Sequence, residues 1–140
     1  MGQRADKAVE LFGKGYNCSQ AVALAYADLL GLDELATFKA MEAFGLGMGG
    51  RLGTCGALSG AIYLAGFVSS NGNMDKDPLT KSKKASYNLA NQIMQEFYSN
   101  HGTVTCGDLK DGNSKHFTPC TKCIEEACLL VEKYLFKDKL

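Results

Sequence analysis

The sequence predicts one all-α domain, and three observations support this. Apolar residues recur at spacings of three and four along most of the 140 residues, as on the buried face of a helix. No stretch shows the coherent polar–apolar alternation of a half-buried strand. The segment 54–69 carries no charge, which is typical of a helix at the centre of a bundle. We therefore expect residues 1–140 to form a single compact bundle of five or six helices around a buried central helix at about 54–69.

The first two helices are separated by a glycine-containing turn. Helix one is predicted over residues 5–12, where apolar side chains follow helical spacing. Asn17 is expected to cap helix two, with Gln20 three residues on as in a capping box. Gly31 is expected to end helix two. Cys18 then lies in the first turn and on the core side of this helix.

Helix three is expected after Asp33, and a glycine-rich loop follows it over residues 45–53. No strand precedes this loop and no Gly-Lys-Ser/Thr follows, so a phosphate-binding loop is not favoured. We expect the glycines to let the chain approach a metal or sulfur centre closely. Arg51 is interpreted as a solvated loop charge, with a contact to an anionic group as the alternative. The apolar residues of helix three recur every third position: Leu35, Phe38, Met41 and Phe44.

The central helix is expected to begin with Thr54 as its N-cap, which places Cys55 in the first turn. Backbone N–H groups there are unpaired and carry the positive end of the helix dipole. A thiol in this position is biased toward the thiolate, the form that binds metals and attacks disulfides. The alternative is that Cys55 is a small buried apolar residue. A membrane span is not expected, because the dense apolar part, residues 57–68, is too short.

A long helix is expected from about residue 77 to 100, because an aspartate followed by proline is a capped helix start. Residues 103–105 are expected to be briefly extended, and Cys106 to open a polar loop. His101 and His116 are interpreted as surface residues, since neither has a second ligand at the spacing of a zinc motif. Metal ligation by either histidine is the alternative.

The last helix is expected to start at Pro119, with Cys120 in its first turn. Cys123 completes a CxxC motif with Cys120, which at a helix start is either a redox pair or half of a metal site. The sequence has no second CxxC and no histidine following this one, so a zinc finger and covalent haem lack support. Cys128 is expected to lie in the core.

Net charge and cysteine content limit the partners and the cellular compartment that we expect. The formal net charge is zero, so nothing indicates a nucleic-acid or membrane partner. The charged N-terminus lacks the apolar core of a secretory signal, and we expect a cytoplasmic protein. In a reducing compartment, six cysteines favour metal ligands or redox thiols over structural disulfides. A redox partner protein and a homodimer are the partners that remain open.

Cysteines begin three of the expected helices, and Cys106 lies on a loop before the last one. If these helix starts converge, they supply both thiolates and N–H donors to one point. That arrangement suits an anionic centre, such as an iron–sulfur cluster or a thiolate-bound metal.

Two stretches resemble motifs of the redox-active C-GCAxxG-C-C family. Residues 15–22, GYNCSQAV, resemble its first motif, and residues 45–47 with 54–61, GLG and TCGALSGA, resemble its second. The second motif reads Thr-Cys-Gly-Ala here rather than Gly-Cys-Ala. Cys123 is an additional cysteine, and it is left open whether it replaces or supplements Cys120 as a ligand. Split-Soret cytochromes carry a similar domain associated with a two-iron cluster. The resemblance covers nearly the whole chain and implies that the functional set, for binding a cofactor or metal, is Cys18, Cys55, Cys106 and Cys120.

Three functions fit these residues. The first is an electron-transfer or sensing protein with a [2Fe–2S] cluster on the four cysteines, which aerobic preparation can remove. The second is a thiol–disulfide oxidoreductase or a reductase accessory, in which Cys55 or Cys120 is the nucleophile and Cys123 or another cysteine of the set resolves the mixed disulfide. The third is a structural zinc site in a small interaction protein.

Overall fold

The computed structural model describes residues 2–74, 81–111 and 118–137. Within these ranges the protein is all-α, as predicted, with seven α-helices rather than five or six. A single antiparallel bridge joins Thr54 to Thr105. Short 3₁₀ helices at Ala27–Leu30 and Glu42–Phe44 and a turn at Gly47–Arg51 connect the helices. The α-helices are α1 Gln3–Gly13, α2 Cys18–Tyr26, α3 Glu34–Met41, α4 Gly56–Ser69, α5 Lys81–His101, α6 Cys106–Asp111 and α7 Cys120–Tyr134.

Helix α4 lies at the centre of the bundle and packs against α2, α5 and α7. Leu58 and Leu64 on this helix are fully buried. The last turn reaches the surface, where Phe67 is 49% exposed. The prediction of a buried central helix is therefore confirmed for most of α4 and wrong for its final turn. None of the described helices combines the length and apolar character that crossing a bilayer requires.

The start of α4 differs from the prediction by one residue. Cys55, not Thr54, is the N-cap, with an extended ψ of 130°. Thr54 instead pairs with Thr105, and the Cys55 N–H donates to the Val104 carbonyl at 2.7 Å. The expected extended segment at residues 103–105 thus holds Cys55 outside the first turn of the helix.

Small residues let α2 and α4 pack closely. A Cβ added at Gly60 would lie 2.7 Å from the Ser19 carbonyl oxygen and 3.2 Å from Val22 Cβ. A Cβ at Gly56 would lie 3.2 Å from the Cys18 sulfur. The glycines of the TCGALSGA segment therefore bring the start of α4 directly against the start of α2.

The predicted capping box at the start of α2 is confirmed. The Gln20 N–H donates to Asn17 Oδ1 at 2.9 Å, and the Asn17 N–H donates to Gln20 Oε1 at 3.1 Å. Ser19 Oγ and Asn17 Nδ2 also donate to the Met41 and Glu42 carbonyls, at 2.7 and 2.9 Å. These bonds fix the end of α3 against the helix start that carries Cys18.

The apolar stripe predicted for α3 is only partly buried. Met41 is 2% exposed, but Leu35 is 62% and Phe44 is 37% exposed. A spacing of three falls short of the 3.6-residue helical turn, so residues at every third position rotate progressively round the helix. The predicted start of the long helix at residue 77 lies outside the described residues. Its end is confirmed, since α5 ends at His101 and Gly102 follows with φ +78°.

Candidate functional site

Five of the six cysteines lie at or within one turn of a helix start. Cys18, Cys106 and Cys120 are the first residues of α2, α6 and α7, while Cys55 is the N-cap of α4 and Cys123 follows one turn into α7. The prediction that Cys106 lies on a loop is wrong. It opens a short helix instead.

Side chains before Cys106 explain why the chain turns helical there. Thr103 Oγ1 accepts a hydrogen bond from the Thr105 N–H at 3.1 Å and donates to Asp108 Oδ2 at 3.2 Å. The Leu109 N–H donates to the Thr105 carbonyl at 3.0 Å. A threonine three residues before the helix therefore organises the first turn of α6, and with it the position of Cys106.

Cys18 and Cys120 form the first cysteine pair. A hydrogen bond from the Cys18 thiol to Cys120 raises the pKa of Cys18, and burial raises it further. The same bond lowers the pKa of Cys120 to about 6, with Lys110 acting in the same direction and burial opposing it. Cys120 is half-buried, whereas Cys18 is buried. This pair therefore combines a more accessible thiolate with a buried, protonated thiol.

Cys55 and Cys123 form the second pair, and both are buried. Their hydrogen bond raises the pKa of Cys55, as does burial, and lowers the pKa of Cys123. The Ala57 and Leu58 N–H groups at the start of α4 act to lower the pKa of Cys55, but they do not overcome the other two effects. The expectation that Cys55 is biased toward the thiolate is therefore wrong for the free thiol, because burial and the thiol pairing dominate.

Lys110 brings a positive charge to the cysteines. Its Nζ lies 3.6 Å from Cys123 Sγ and donates to the Thr118 carbonyl at 3.0 Å. Burial lowers the pKa of Lys110, but nearby cysteines, Cys123 and Cys120 foremost, more than offset this and raise it overall. Sequence analysis missed this residue. Its signal was the spacing of four from Cys106, which becomes informative only once α6 is known to be helical.

The glycine-rich segment closes over Cys106. A Cβ at Gly47 would lie 2.3 Å from Cys106 Cβ and 3.3 Å from its sulfur, so the expected close approach is confirmed at this glycine. Three non-glycine residues here have positive φ: Leu46 at 55°, Met48 at 63° and Arg51 at 70°. Such backbone strain persists only where the surroundings enforce it, and it concentrates at functional sites.

Cys106 is buried beneath this segment. Burial raises the pKa of the Cys106 thiol, while the charges of Lys110 and Arg51 act to lower it. Arg51 is exposed, as expected of a loop charge, and its effect on Cys106 is the smallest of the effects on this thiol.

His101 is buried, and its prediction as a surface residue is wrong. Its Nε2 lies 2.7 Å from Glu126 Oε1 on α7, and its Nδ1 lies 3.4 Å from Thr118 Oγ1. These contacts anchor the segment that leads into Cys120. A lone histidine in sequence carries no sign of a partner 25 residues away. His116 lies outside the described residues.

The structure therefore places Cys18, Cys55, Cys106 and Cys120 close enough to influence one another's ionisation, with Cys123 among them. Cys128 is separate: it is buried in the core, as expected, where burial raises its pKa to about 12. In the described ranges, no group of three or more histidine, cysteine, aspartate or glutamate side chains is arranged to hold a metal ion. The strongest effects on the thiol pKa values instead act within two pairs, Cys18 with Cys120 and Cys55 with Cys123. Binding of a cofactor by these cysteines remains a prediction.

Comparison with curated proteins and with solved structures gives no significant match. The model of the family described as "Putative redox-active protein (C_GCAxxG_C_C)" matches residues 16–134, a range that includes all six cysteines. The chain therefore belongs to the C_GCAxxG_C_C family of redox-active proteins.

Proposed function

We propose that this protein transfers or senses electrons through a [2Fe–2S] cluster bound by cysteines of the site. The observation that carries the proposal is that five cysteines lie at or within one turn of helix starts that meet in one region. A Cβ at Gly56, the residue after Cys55, would lie 3.2 Å from Cys18 Sγ, and the pKa values of Cys18 and Cys55 are raised foremost by Cys120 and Cys123. A [2Fe–2S] cluster takes four thiolates, two on each iron, and this group of five cysteines contains enough ligands for it. Cysteine thiolates are also the soft ligands that such clusters use.

Three ligands are assigned to Cys18, Cys55 and Cys120. The fourth is Cys106, which the family resemblance implies, with Cys123 as the alternative because it lies beside Cys55. Cys123 is also the alternative to Cys120, which lies one helical turn before it in the same CxxC motif. When bound, the cluster would accept and release single electrons.

The surroundings support an anionic centre. The Ala57 and Leu58 N–H groups at the start of α4 favour the Cys55 thiolate, the Cys120 N–H at the start of α7 favours that of Cys120, and the charge of Lys110 lies close to Cys123. Cys120 is half-buried, so we propose that electrons pass to a redox partner protein on that side. We also propose a cytoplasmic setting, in which the six free thiols stay reduced and the four ligands remain able to bind the cluster.

Anaerobic purification tests this proposal. We expect a brown protein with about two irons and about two acid-labile sulfides per chain. A colourless, iron-free protein would contradict it, and so would a single equivalent of zinc with no redox signal.

Thiol–disulfide exchange is a second candidate, favoured because Cys120 has a lowered thiol pKa and is half-buried, whereas Cys18 has a raised pKa and is buried. The Cys120 thiolate would attack a substrate disulfide, form a mixed disulfide and release one thiolate. Cys18 would then lose its proton, attack the Cys120 sulfur and release the second thiolate, which leaves a Cys18–Cys120 disulfide. A lowered pKa at an accessible attacking thiol, beside a buried resolving thiol, is the chemistry that this exchange needs.

The pH dependence of alkylation tests this second candidate on reduced, metal-free protein. With a pKa of about 6, Cys120 should be protonated and slow below that pH, and should react faster with iodoacetamide as the pH rises through it. Lys110→Gln removes a charge that favours the thiolate, so the midpoint should move to higher pH. Lys122→Gln, on an exposed residue of α7 paired with Glu125, should leave it unchanged. A midpoint near 8.5, the ordinary value for cysteine, would count against this candidate.

A further inference from the structure

A cavity of about 510 Å³ lies between α3, α4, α5 and the glycine-rich segment. We propose that it binds an uncharged, flat molecule with one or two aromatic rings. This site is separate from the cysteine pairs and goes beyond the redox function proposed for them.

The lining determines the class of ligand. The ten described residues that line the cavity include no charged side chain, and three of them are methionines: Met41, Met48 and Met94. Methionine thioethers adapt to the shape of a ligand and make favourable contacts with aromatic rings. A charged ligand would lose its hydration here without gaining an ionic partner from the described lining.

Three of the lining residues carry a hydroxyl group, Thr54, Ser59 and Tyr63, while most of the lining is apolar. Tyr63 is held in place, since its hydroxyl lies 3.2 Å from Thr37 Oγ1. A mostly apolar pocket of a few hundred cubic ångströms, with a small number of oriented polar groups, is the usual form of a small-molecule site. The ligand that fits best therefore carries one hydroxyl or carbonyl on an aromatic ring.

No cysteine is among the described residues that line the cavity, but residues next to Cys55 and next to the segment over Cys106 contribute to its lining. Thr54 lines the cavity and precedes Cys55, while the Ser59 N–H donates to the Cys55 carbonyl at 3.1 Å. Met48 lines the cavity as well, and its neighbour Gly47 packs against Cys106. A ligand in the cavity would thus contact the residue that precedes Cys55 and the neighbour of the glycine that packs against Cys106.

Nuclear magnetic resonance of the methionine methyl groups tests the proposal with 2-naphthol as the probe. The experiment uses reduced, metal-free protein, so its outcome does not depend on whether a cluster binds. We expect the ¹³C-methyl signals of Met41, Met48 and Met94 to shift in a saturable manner. Met74 is 85% exposed and does not line the cavity, so its signal should stay in place.

A pair of matched variants tests whether 2-naphthol binds in this cavity. Ala90 lines the cavity from α5, and Ala90→Phe should weaken binding by about tenfold or more by filling it. Ala85 lies on the same helix but is exposed and outside the lining, so Ala85→Phe should bind as the wild type does. If Ala90→Phe does not fold, Ala40→Phe on α3 fills the cavity from another wall.

Three results would overturn the proposal. One is the absence of saturable shifts, and another is equal shifts at Met74 and the cavity methionines. The third is a dimer, seen by sedimentation, whose formation alone moves the cavity signals and leaves no binding of 2-naphthol. In that last case the occupant of the cavity would be a second copy of the chain.

Discussion

Replacement of Cys55 by alanine is expected to abolish iron and sulfide binding by the anaerobically purified protein. Cys55 is 2% exposed, its charge would raise the pKa of Cys18 and of Cys106, and Cys123 raises its own pKa. Water has little access to this position and cannot readily replace a lost ligand. We therefore expect the content to fall from about two irons per chain to near zero, measured by colorimetric iron and sulfide assays.

Cys128→Ala is the matched control, because it removes another buried thiol without touching the site. Cys128 lies where α7 faces Tyr26, whose hydroxyl donates to the Cys128 carbonyl at 3.3 Å. This backbone contact survives the substitution, and the iron content should stay at the wild-type level. Equal iron loss in the Cys55 and Cys128 variants would mean that general destabilisation, not ligand removal, was measured.

The same assay assigns the fourth ligand. If Cys106 binds the cluster, Cys106→Ala should lose iron and Cys123→Ala should retain it. The reverse result would make Cys123 the ligand, and the pairing of Cys55 with Cys123 would then persist in the loaded protein. Retention of iron in both single variants would mean that the two cysteines substitute for one another.

Local signals in the sequence were sufficient to predict the start of α2. The capping box at Asn17 and Gln20 depends on residues three positions apart, so it is readable without tertiary structure. The prediction for Cys55 failed by one residue because Thr54 pairs with Thr105, some 50 residues away in sequence. Local sequence patterns cannot predict a contact between residues so far apart in the chain.

Tertiary contacts also explain what sequence analysis missed at the site. Which cysteine faces which depends on the crossing of α2, α4 and α7, so the spacing of the CxxC could not reveal that Cys120 and Cys123 have different partners. Burial of His101 likewise requires Glu126 from another helix. The resemblance to the family identified the cysteines, but the charge of Lys110 beside them emerges only from the fold.

Gly47→Ala is expected to cause a large loss of stability, because this position combines a positive φ with close packing against Cys106. Gly47 has φ +58°, and a new Cβ would lie 2.3 Å from Cys106 Cβ and 3.0 Å from the Gly53 carbonyl oxygen. Left-handed backbone costs an alanine about 1–2 kcal/mol, and overpacking adds about 1–3 kcal/mol. We expect the free energy of unfolding of the metal-free protein to fall by about 2–5 kcal/mol, measured by urea denaturation.

Gly49→Ala separates the two contributions. Gly49 also has a positive φ, +84°, but the nearest atom to its added Cβ is the Ala43 carbonyl oxygen at 3.9 Å. Only the backbone term of about 1–2 kcal/mol should therefore remain. The difference between the two variants measures how tightly the glycine-rich segment presses on Cys106. If both variants lose the same stability, the segment yields to the added methyl group, and it does not fix the position of this cysteine.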